Sequence, residues 1–576
     1  MANFYLDNAD IQFLMKHLDL EEVIRLIEND FREKDEFDEA PRNVEEAKEN
    51  YHLVLSSLGE MCAEKIAPEA PAADEEGAKF WEGNVFYSIP TQKAMKLLRD
   101  AELMGFTLPR KYSGLNFPVT IYSIAIELVS QAEAGLQNVF GLQEIAATIN
   151  EFADEEIKAK YLPLFASGKV TGAMVLTEPE AGSDLQAVQL KATFDEKENC
   201  WRLKGNKRFI TNGNADVALI LARSEPGTSD GRGLSMFLYE RDETVVVRRI
   251  ENKLGIHTSP TCELQFNDTK AILIGKRRMG LIRYVMALMN GARLGIACQG
   301  LGIAQAAYNE ALKYAEDREQ FKKKIIDMPP VFDMLANMKM KIEAARVLTY
   351  ETSIIVDKKK LLEHKIAHSE QRNPEDKKKL KYYDALAATL TPMAKYYASE
   401  IANEVADDAI QIHGGTGYMK EFNVERHYRD ARITNIYEGT SQLQVVAAIG
   451  GVLTRALEPE FEHLMNLIAD SEQKVHLDEL KKCRERLDQA IDFVKEKNDS
   501  DYTSYYARNL VDMAMELYIS LQLLYFARYS EHKNLIAEQF LTQTILNSEQ
   551  YHARVTSGRR LVLERYRDII YDSVEQ

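Results

Sequence analysis

The sequence predicts a mainly α-helical chain with a compact β domain near its centre and an extra helical block towards its C-terminal end. Three observations carry this. Apolar residues recur at three- and four-residue spacing on both sides of residues 172–250. Within that stretch they form short β-type runs broken by Gly, Asn, Asp and Pro. Helical spacing then continues beyond Leu457-Glu458-Pro459.

The first block, residues 1–165, reads as helix from "EEVIRLIEND" and "YHLVLSSLGEMCAEKI", with "APEAPAADEEG" after them as a loop or hinge. The second, 166–278, holds the runs "AMVLTEPEAGSD", "AVQLKATF", "CWRLKGNKRFITNG", "VALILARS", "LSMFLYE" and "TVVVRRI". "LKGNKRF" within it reads as hairpin-like. The third, 279–455, opens on a long helix containing Gly295, Gly300 and Gly302. Each costs about 1 kcal/mol relative to Ala in a helix, so close approach of another helix or a ligand is expected there. The charged segment 358–383 reads as solvated helix ends with a loop. The fourth block, 456–576, keeps helical spacing at Phe461, Met465 and Ile468, at Leu487, Ile491 and Val494, and at Met513, Leu517 and Leu521.

At 576 residues the chain far exceeds the ~250–300 at which a single core stops growing. A 45% apolar, 28% charged composition is that of a globular protein. The net charge of -18 argues against a surface built for nucleic acid or anionic membranes. Cys62, Cys200, Cys262, Cys298 and Cys483 are scattered without a CxxC, which fits a reducing compartment and no metal site. The N-terminal residues lack a basic segment followed by an apolar core, and no unbroken apolar run nears the ~18 residues of a membrane helix. The expectation is a cytoplasmic protein without a transmembrane segment.

There is no GxGxxG after a strand, no GxxxxGK[ST], no HExxH and no GxSxG, which sets aside Rossmann, P-loop, zinc-protease and hydrolase chemistry. Five other segments draw notice. "VLTEPEAGSD" (175–184) is a polar loop leaving a strand; backbone N–H groups beside Gly182 and the Ser183 hydroxyl suit phosphate or carbonyl oxygens, or simply cap a turn. "RFITNG" (208–213) ends a strand at an Asn-Gly turn, and "DREQF" (317–321) ends the long helix with an arginine and a phenylalanine. "QIHGGTGYM" (411–419) has glycines that let backbone approach a ligand, beside a His413 that reads as structural. In "NIYEGTSQLQ" (435–444), Glu438 is either the acid of an ordinary helix start or a base.

In this order and spacing, these segments resemble the acyl-CoA dehydrogenase family over residues 60–455. "KLGIHTSPTCELQF", "MNGARLGIACQGLGIAQAAYNEALKYA", the charged insert and the C-terminal extension resemble its large bacterial subgroup, which includes long-chain β-oxidation and methylmercaptopropionyl-CoA enzymes. The resemblance implies an N-terminal helical domain, a middle β-barrel and a C-terminal four-helix bundle, here followed by an appended helical domain, with FAD held without a Rossmann motif. It implies that Met174, Leu176 and Thr177 line the flavin through backbone and hydroxyl contacts. Phe209 would cover the ring system, and Thr211 would lie near its N5. Arg318, Phe321, Gln411, Gly414 and Gly415 would reach the FAD of a neighbouring subunit, and Gly439, Thr440 and Gln442 would touch the FAD. Gly182, Ser183, Asn290, Arg293 and Tyr437 would contact the acyl-CoA. Glu438 would take the α-proton while a hydride leaves the β-carbon. Three departures stand out: Asn290 replaces a frequent Asp, no glycine follows Phe321, and Ala292 occupies the place where some relatives carry their base. The implied partners are an acyl-CoA and an electron-transfer flavoprotein, with a homodimer favoured over a tetramer. Two alternatives share the fold: an oxidase using O2, and a nucleic-acid-binding alkylation-response flavoprotein, which the charge disfavours.

Overall fold

The computed structural model describes residues 2–368 and 373–571. By its internal contacts the chain divides into two compact units, Met1–Leu335 with Ala398–Glu438, and Ala336–Tyr397 with Gly439–Gln576.

The first unit holds the helices Val44–Met61, Val119–Ala132 and Ala134–Gly141, the long helix Met286–Asp317, and a seven-stranded sheet. Five strands of that sheet form a ring. Val217–Arg223 pairs with Lys191–Asp195, which pairs with Cys200–Thr211; Thr261–Leu273 and Leu234–Glu240 follow, and the last returns to Val217–Arg223. Gly172–Val175 and Val245–Ile250 add to its sides. The closed pairing leaves no free edge along the ring, the usual protection of a barrel. Trp201, Ile220, Phe237, Tyr239 and Phe266 fill one side of the sheet. On the other side Leu219, Leu221, Met236 and Leu238 pack on Ile145, Ile149, Leu162 and Phe165 of the helical block.

Two local expectations are corrected. Residues 67–76 form a short 3-10 turn and the helix Ala70–Glu76, not a loop. Pro68 and Pro71 stand at first-turn positions, where the missing N–H has no helical partner to lose. "LKGNKRF" is the middle of one continuous strand, Cys200–Thr211, and not a hairpin. Its Gly205 has a φ of 143°, and a Cβ there would meet the Cα of Leu190 at 3.2 Å, so the glycine serves a close crossing. The charged insert does lie on helix ends, at His368 and Pro374; its residues 369–372 lie outside the described residues.

The second unit is helical. Ser500–Ala527 forms its core, packed by Ser441–Leu453, Glu458–Ala469, Leu477–Lys497 and Glu531–Thr556. The nine apolar positions named for this block are all buried. Buried Glu343 pairs with Lys533 at 2.5 Å and Lys339 at 3.0 Å, tying Glu531–Thr556 to the helix Pro329–His368. Length and mean hydropathy, unlike unbroken apolar runs, single out two helical stretches among the described residues that could cross a membrane, Gly280–Asp317 and Ser500–Ala527. In the second, 94% of the apolar window is buried inside the protein, as in the core helix of a folded unit.

The glycines of the long helix are not equivalent. A Cβ on Gly302 would lie 2.5 Å from Glu127 O and 2.6 Å from Gln131 N, and one on Gly300 would lie 2.8 Å from Ala398 O. Backbone against backbone leaves no side chain to yield. At Gly295 the nearest atom is Ile126 Cδ1 at 3.7 Å. Gly302→Ala is expected to destabilise by ~1–3 kcal/mol through overpacking, whereas Gly295→Ala gains helix propensity worth ~1 kcal/mol. Denaturant titration of the two variants, monitored by far-ultraviolet circular dichroism, checks that opposite sign.

Candidate active site

The polar loop after the first sheet strand is fixed by a buried ion pair. Lys207 is fully buried; its Nζ donates to Leu176 O at 2.7 Å and meets Glu178 Oε1 at 2.9 Å. Burial pulls the ammonium down to about 8, and the Glu178 charge opposes the fall. Glu178 in turn accepts the N–H groups of Gln189 (2.8 Å) and Leu190 (3.0 Å). This arrangement holds Met174, Leu176 and Thr177 in place. The Leu176 side chain is buried in the core, so only its backbone is available to a ligand, while Met174 and Thr177 are half-buried. Gly182 and Ser183 are exposed, and a Cβ on Gly182 would meet open space.

Phe209 comes beside that loop because Arg208 N donates to Thr177 O at 3.0 Å. The strand pairing is irregular between Lys207 and Ile210, and Phe209 adopts a φ of 60°. A left-handed φ is costly for a residue with a Cβ. Here it turns a phenylalanine outward, 51% exposed, with Thr211 two residues on. Such an aromatic face suits a flat partner.

Arg318 and Phe321 close the long helix. The turn that lacks glycine is made with Phe321 at φ 50° and Lys322 at φ 63°, between the paired residues Gln320 and Lys323. Phe321 is 89% exposed. Tyr314, one turn before Arg318, stacks on His413 at 4.2 Å, which brings residues 411–415 to the same end of the helix. Gln411, Gly414 and Gly415 are exposed there, and a Cβ on either glycine would meet nothing within 4 Å. His413 is buried, its Nδ1 2.8 Å from Ala409 O, and burial lowers its pKa.

Glu438 is half-buried with a φ of 53°, and Gly439 follows at 90°. Two successive left-handed residues take the chain out of the preceding helix, Val424–Thr434, and into the next, Ser441–Leu453. Thr440 caps that second helix, its hydroxyl accepting from Leu443 N at 3.4 Å, and Gln442 is exposed on its first turn. Gly439, Thr440 and Gln442 belong to the second unit, and the remaining candidates to the first.

Arg293 lies within electrostatic reach of Glu438. Burial lowers the pKa of its guanidinium, and the charge of Glu438 works against that shift. Its Nη1 donates to Asn290 Oδ1 at 3.1 Å, while its buried Nε has no protein partner. An orphan donor beside a carboxylate, held inside the fold, marks a place where a polar ligand completes the site.

Three groups here carry no sequence motif. The hydroxyl of Tyr437 donates to Gln299, which is fully buried; Gln299 Nε2 donates to Ala134 O (2.8 Å) and Asn138 Oδ1 (3.1 Å). Asn138 Nδ2 reaches Ser259 Oγ at 3.0 Å. Burial raises the Tyr437 pKa, so it remains a neutral hydroxyl. Gln299 and Asn138 carry no signal in the sequence because a lone amide in a helix looks like surface; the buried Lys395, in "TPMAKYYASE", is a lone lysine among small and apolar residues. No cluster of potential metal ligands occurs among the described residues.

Family models for the acyl-CoA dehydrogenase N-terminal, middle and C-terminal domains match residues 48–169, 173–269 and 282–449. A fourth, the acyl-CoA dehydrogenase C terminal, matches 458–539. The chain belongs to the acyl-CoA dehydrogenase family. These enzymes are FAD-dependent oxidoreductases. An acyl-CoA dehydrogenase of Bacillus subtilis is 38% identical over 350 residues, 59% of this chain and 84% of that protein. The structure of an acyl-CoA dehydrogenase complexed with FAD from Bacillus anthracis superposes with a TM-score of 0.74 at 25% identity, covering 88% of both chains. A chain of the electron transferring flavoprotein structure from Acidaminococcus fermentans gives 0.60 at 32% identity, over 71% of this chain and 98% of that one. For this acyl-CoA dehydrogenase, Lys207→Met would leave the Glu178 carboxylate buried without its cation. The loss is expected to be about 3–5 kcal/mol, read as a lower denaturation midpoint together with a falling flavin-to-protein absorbance ratio.

Proposed function

We propose that this acyl-CoA dehydrogenase, with FAD as its cofactor, converts an acyl-CoA thioester to the trans-2-enoyl-CoA and passes the electrons to an electron-transfer flavoprotein. The observation that carries the reading is the half-buried Glu438 in its left-handed turn, facing a buried arginine with an unsatisfied donor.

The residues present fit the cofactor. The outward face of Phe209, Thr177 and Thr211 suit its ring system, and the open backbone at Gly414 and Gly415 with Arg318 suits its phosphates. Bound FAD supplies the hydride acceptor. The protein's own work is on the proton. Glu438 accepts the α-hydrogen of the acyl chain onto a carboxylate oxygen, and the adjacent Arg293 charge favours the ionised form that can do so. The developing negative charge on the thioester oxygen is met by backbone N–H at the turn, including that of Glu438. The acyl chain displaces water from the carboxylate, which makes it a stronger base. Asn290 and Arg293 contact the CoA moiety, as do Gly182 and Ser183.

The same reading places residues 1–165, 166–278, 279–455 and 456–576 as successive domains. It makes the chain a cytoplasmic homodimer in which exposed Arg318, Phe321 and Gln411 meet the cofactor of the other subunit. The order of the FITNG, DREQF, QIHGG and YEGTSQ segments along the sequence supports it.

Glu438→Gln keeps size and polarity but cannot accept the proton. It is expected to retain FAD and lose ~10²–10⁴ in rate. Anaerobic bleaching of the flavin by a ladder of saturated acyl-CoA thioesters, from butyryl- to palmitoyl-CoA, measures this and reports chain-length preference at the same time. Bleaching of the variant at the wild-type rate would refute the assignment.

A further inference from the structure

A base on a left-handed turn is only as well placed as whatever holds the turn. Residues with a Cβ avoid positive φ, and such conformations persist where the surroundings over-determine them. Glu438 at 53° is held on both flanks. Downstream, the carbonyl oxygen of Gly439 accepts two hydrogen bonds, from Lys395 Nζ at 2.8 Å and from Gln444 Nε2 at 2.8 Å. Lys395 is fully buried on the helix Pro374–His413. Gly439 itself has φ 90°, where any residue with a Cβ is strained, and a Cβ on it would lie 2.7 Å from Gln444 Nε2 and push that amide off the carbonyl. Upstream, the ring of Tyr437 is pinned through its hydroxyl to Gln299, whose own Nε2 is committed to Ala134 O and Asn138 Oδ1.

We infer that Lys395 and Gln299 are positioning residues for the proposed base: a buried ammonium on the carbonyl that follows Glu438, and a buried amide on the side chain that precedes it, together fix its carboxylate. Both side chains are fully buried, so each acts through the turn it holds. The chemistry of each clamp is specific. A cation on a carbonyl gives a stronger hold than a neutral donor at the same distance. The Gln299 amide presents its oxygen to Tyr437 because both protons of its nitrogen are already donated.

The inference rests on Glu438 being the base, and the test separates the two. FAD-loaded wild type, Lys395→Met, Lys395→Arg and Gln299→Leu are mixed anaerobically with the acyl-CoA that bleaches wild type fastest. The affinity of each is measured with the corresponding alkyl thioether of CoA, which cannot react. Lys395→Met and Gln299→Leu are each expected to slow flavin reduction at saturation by about 10–100-fold, as a displacement near 1 Å would. Thioether affinity stays within about threefold of wild type, since the substrate contacts are intact. Lys395→Arg, which keeps a cation, recovers part of the rate. Both variants reducing at the wild-type rate would overturn the inference, as would affinity falling in step with the rate. If Lys395→Met does not fold with FAD bound, Gln299→Leu decides alone. Failure of wild type itself to be reduced by any thioester of the series overturns the functional reading instead.

Discussion

Proton abstraction from carbon demands a carboxylate whose position is set by something stiffer than its own side chain. In the function proposed for this chain that constraint is the pair of left-handed residues Glu438 and Gly439, between a helix that ends at Thr434 and one that begins at Ser441. Neither helix could present the carboxylate this way, because a regular helical turn points side chains back along its own surface. The turn breaks that geometry, and its cost is met by buried partners on either flank. Gln299 and Arg293 both lie on the long helix Met286–Asp317, whose Gly302 lets it press against Val119–Ala132. Core packing and the placement of Glu438 thus share one element.

The β domain solves a different problem. In the proposed function a flavin takes an aromatic surface and a rigid loop here, but a closed sheet buries its side chains on one face and its backbone throughout. The irregular pairing between Lys207 and Ile210 releases both. Lys207 turns inward to neutralise Glu178 and clamp the loop after Val175, while Phe209 turns outward. One register irregularity supplies an internal ion pair and an external ring. Burying a charge pair is seldom a net stabiliser; its use here is to fix which way the loop lies.

Much of this was legible in the residues, and the failures are instructive. The change from helical to β periodicity near Gly172, its reversal near Gly280 and the final helical block were readable because burial repeats along each element. "APEAPAADEEG" misled because proline signals both loop and helix start, and only the chain around it decides. "LKGNKRF" carried the turn residues of a hairpin; in the fold its glycine serves a crossing with Leu190 and the strand runs on. Among the proposed site residues, Glu438, Phe209 and Arg293 were named through the family resemblance and the order of its segments. The Leu176 side chain is buried in the core, which leaves its backbone for the contact the resemblance implies. Lys395, Gln299 and Asn138 could not be found by any pattern, since a buried lysine and two buried amides are written like surface residues. Their roles exist only once the chain folds back on them.

The most direct test of Glu438 as the base isolates the proton step from the hydride step. With 3,3-dimethylbutyryl-CoA, whose β-carbon bears no hydrogen, dehydrogenation is impossible but the α-hydrogens remain. Incubated with FAD-loaded protein in deuterium oxide, these hydrogens should exchange with wild type and not with Glu438→Gln, as read by proton NMR of the thioester. Equal exchange in the two proteins would contradict the account.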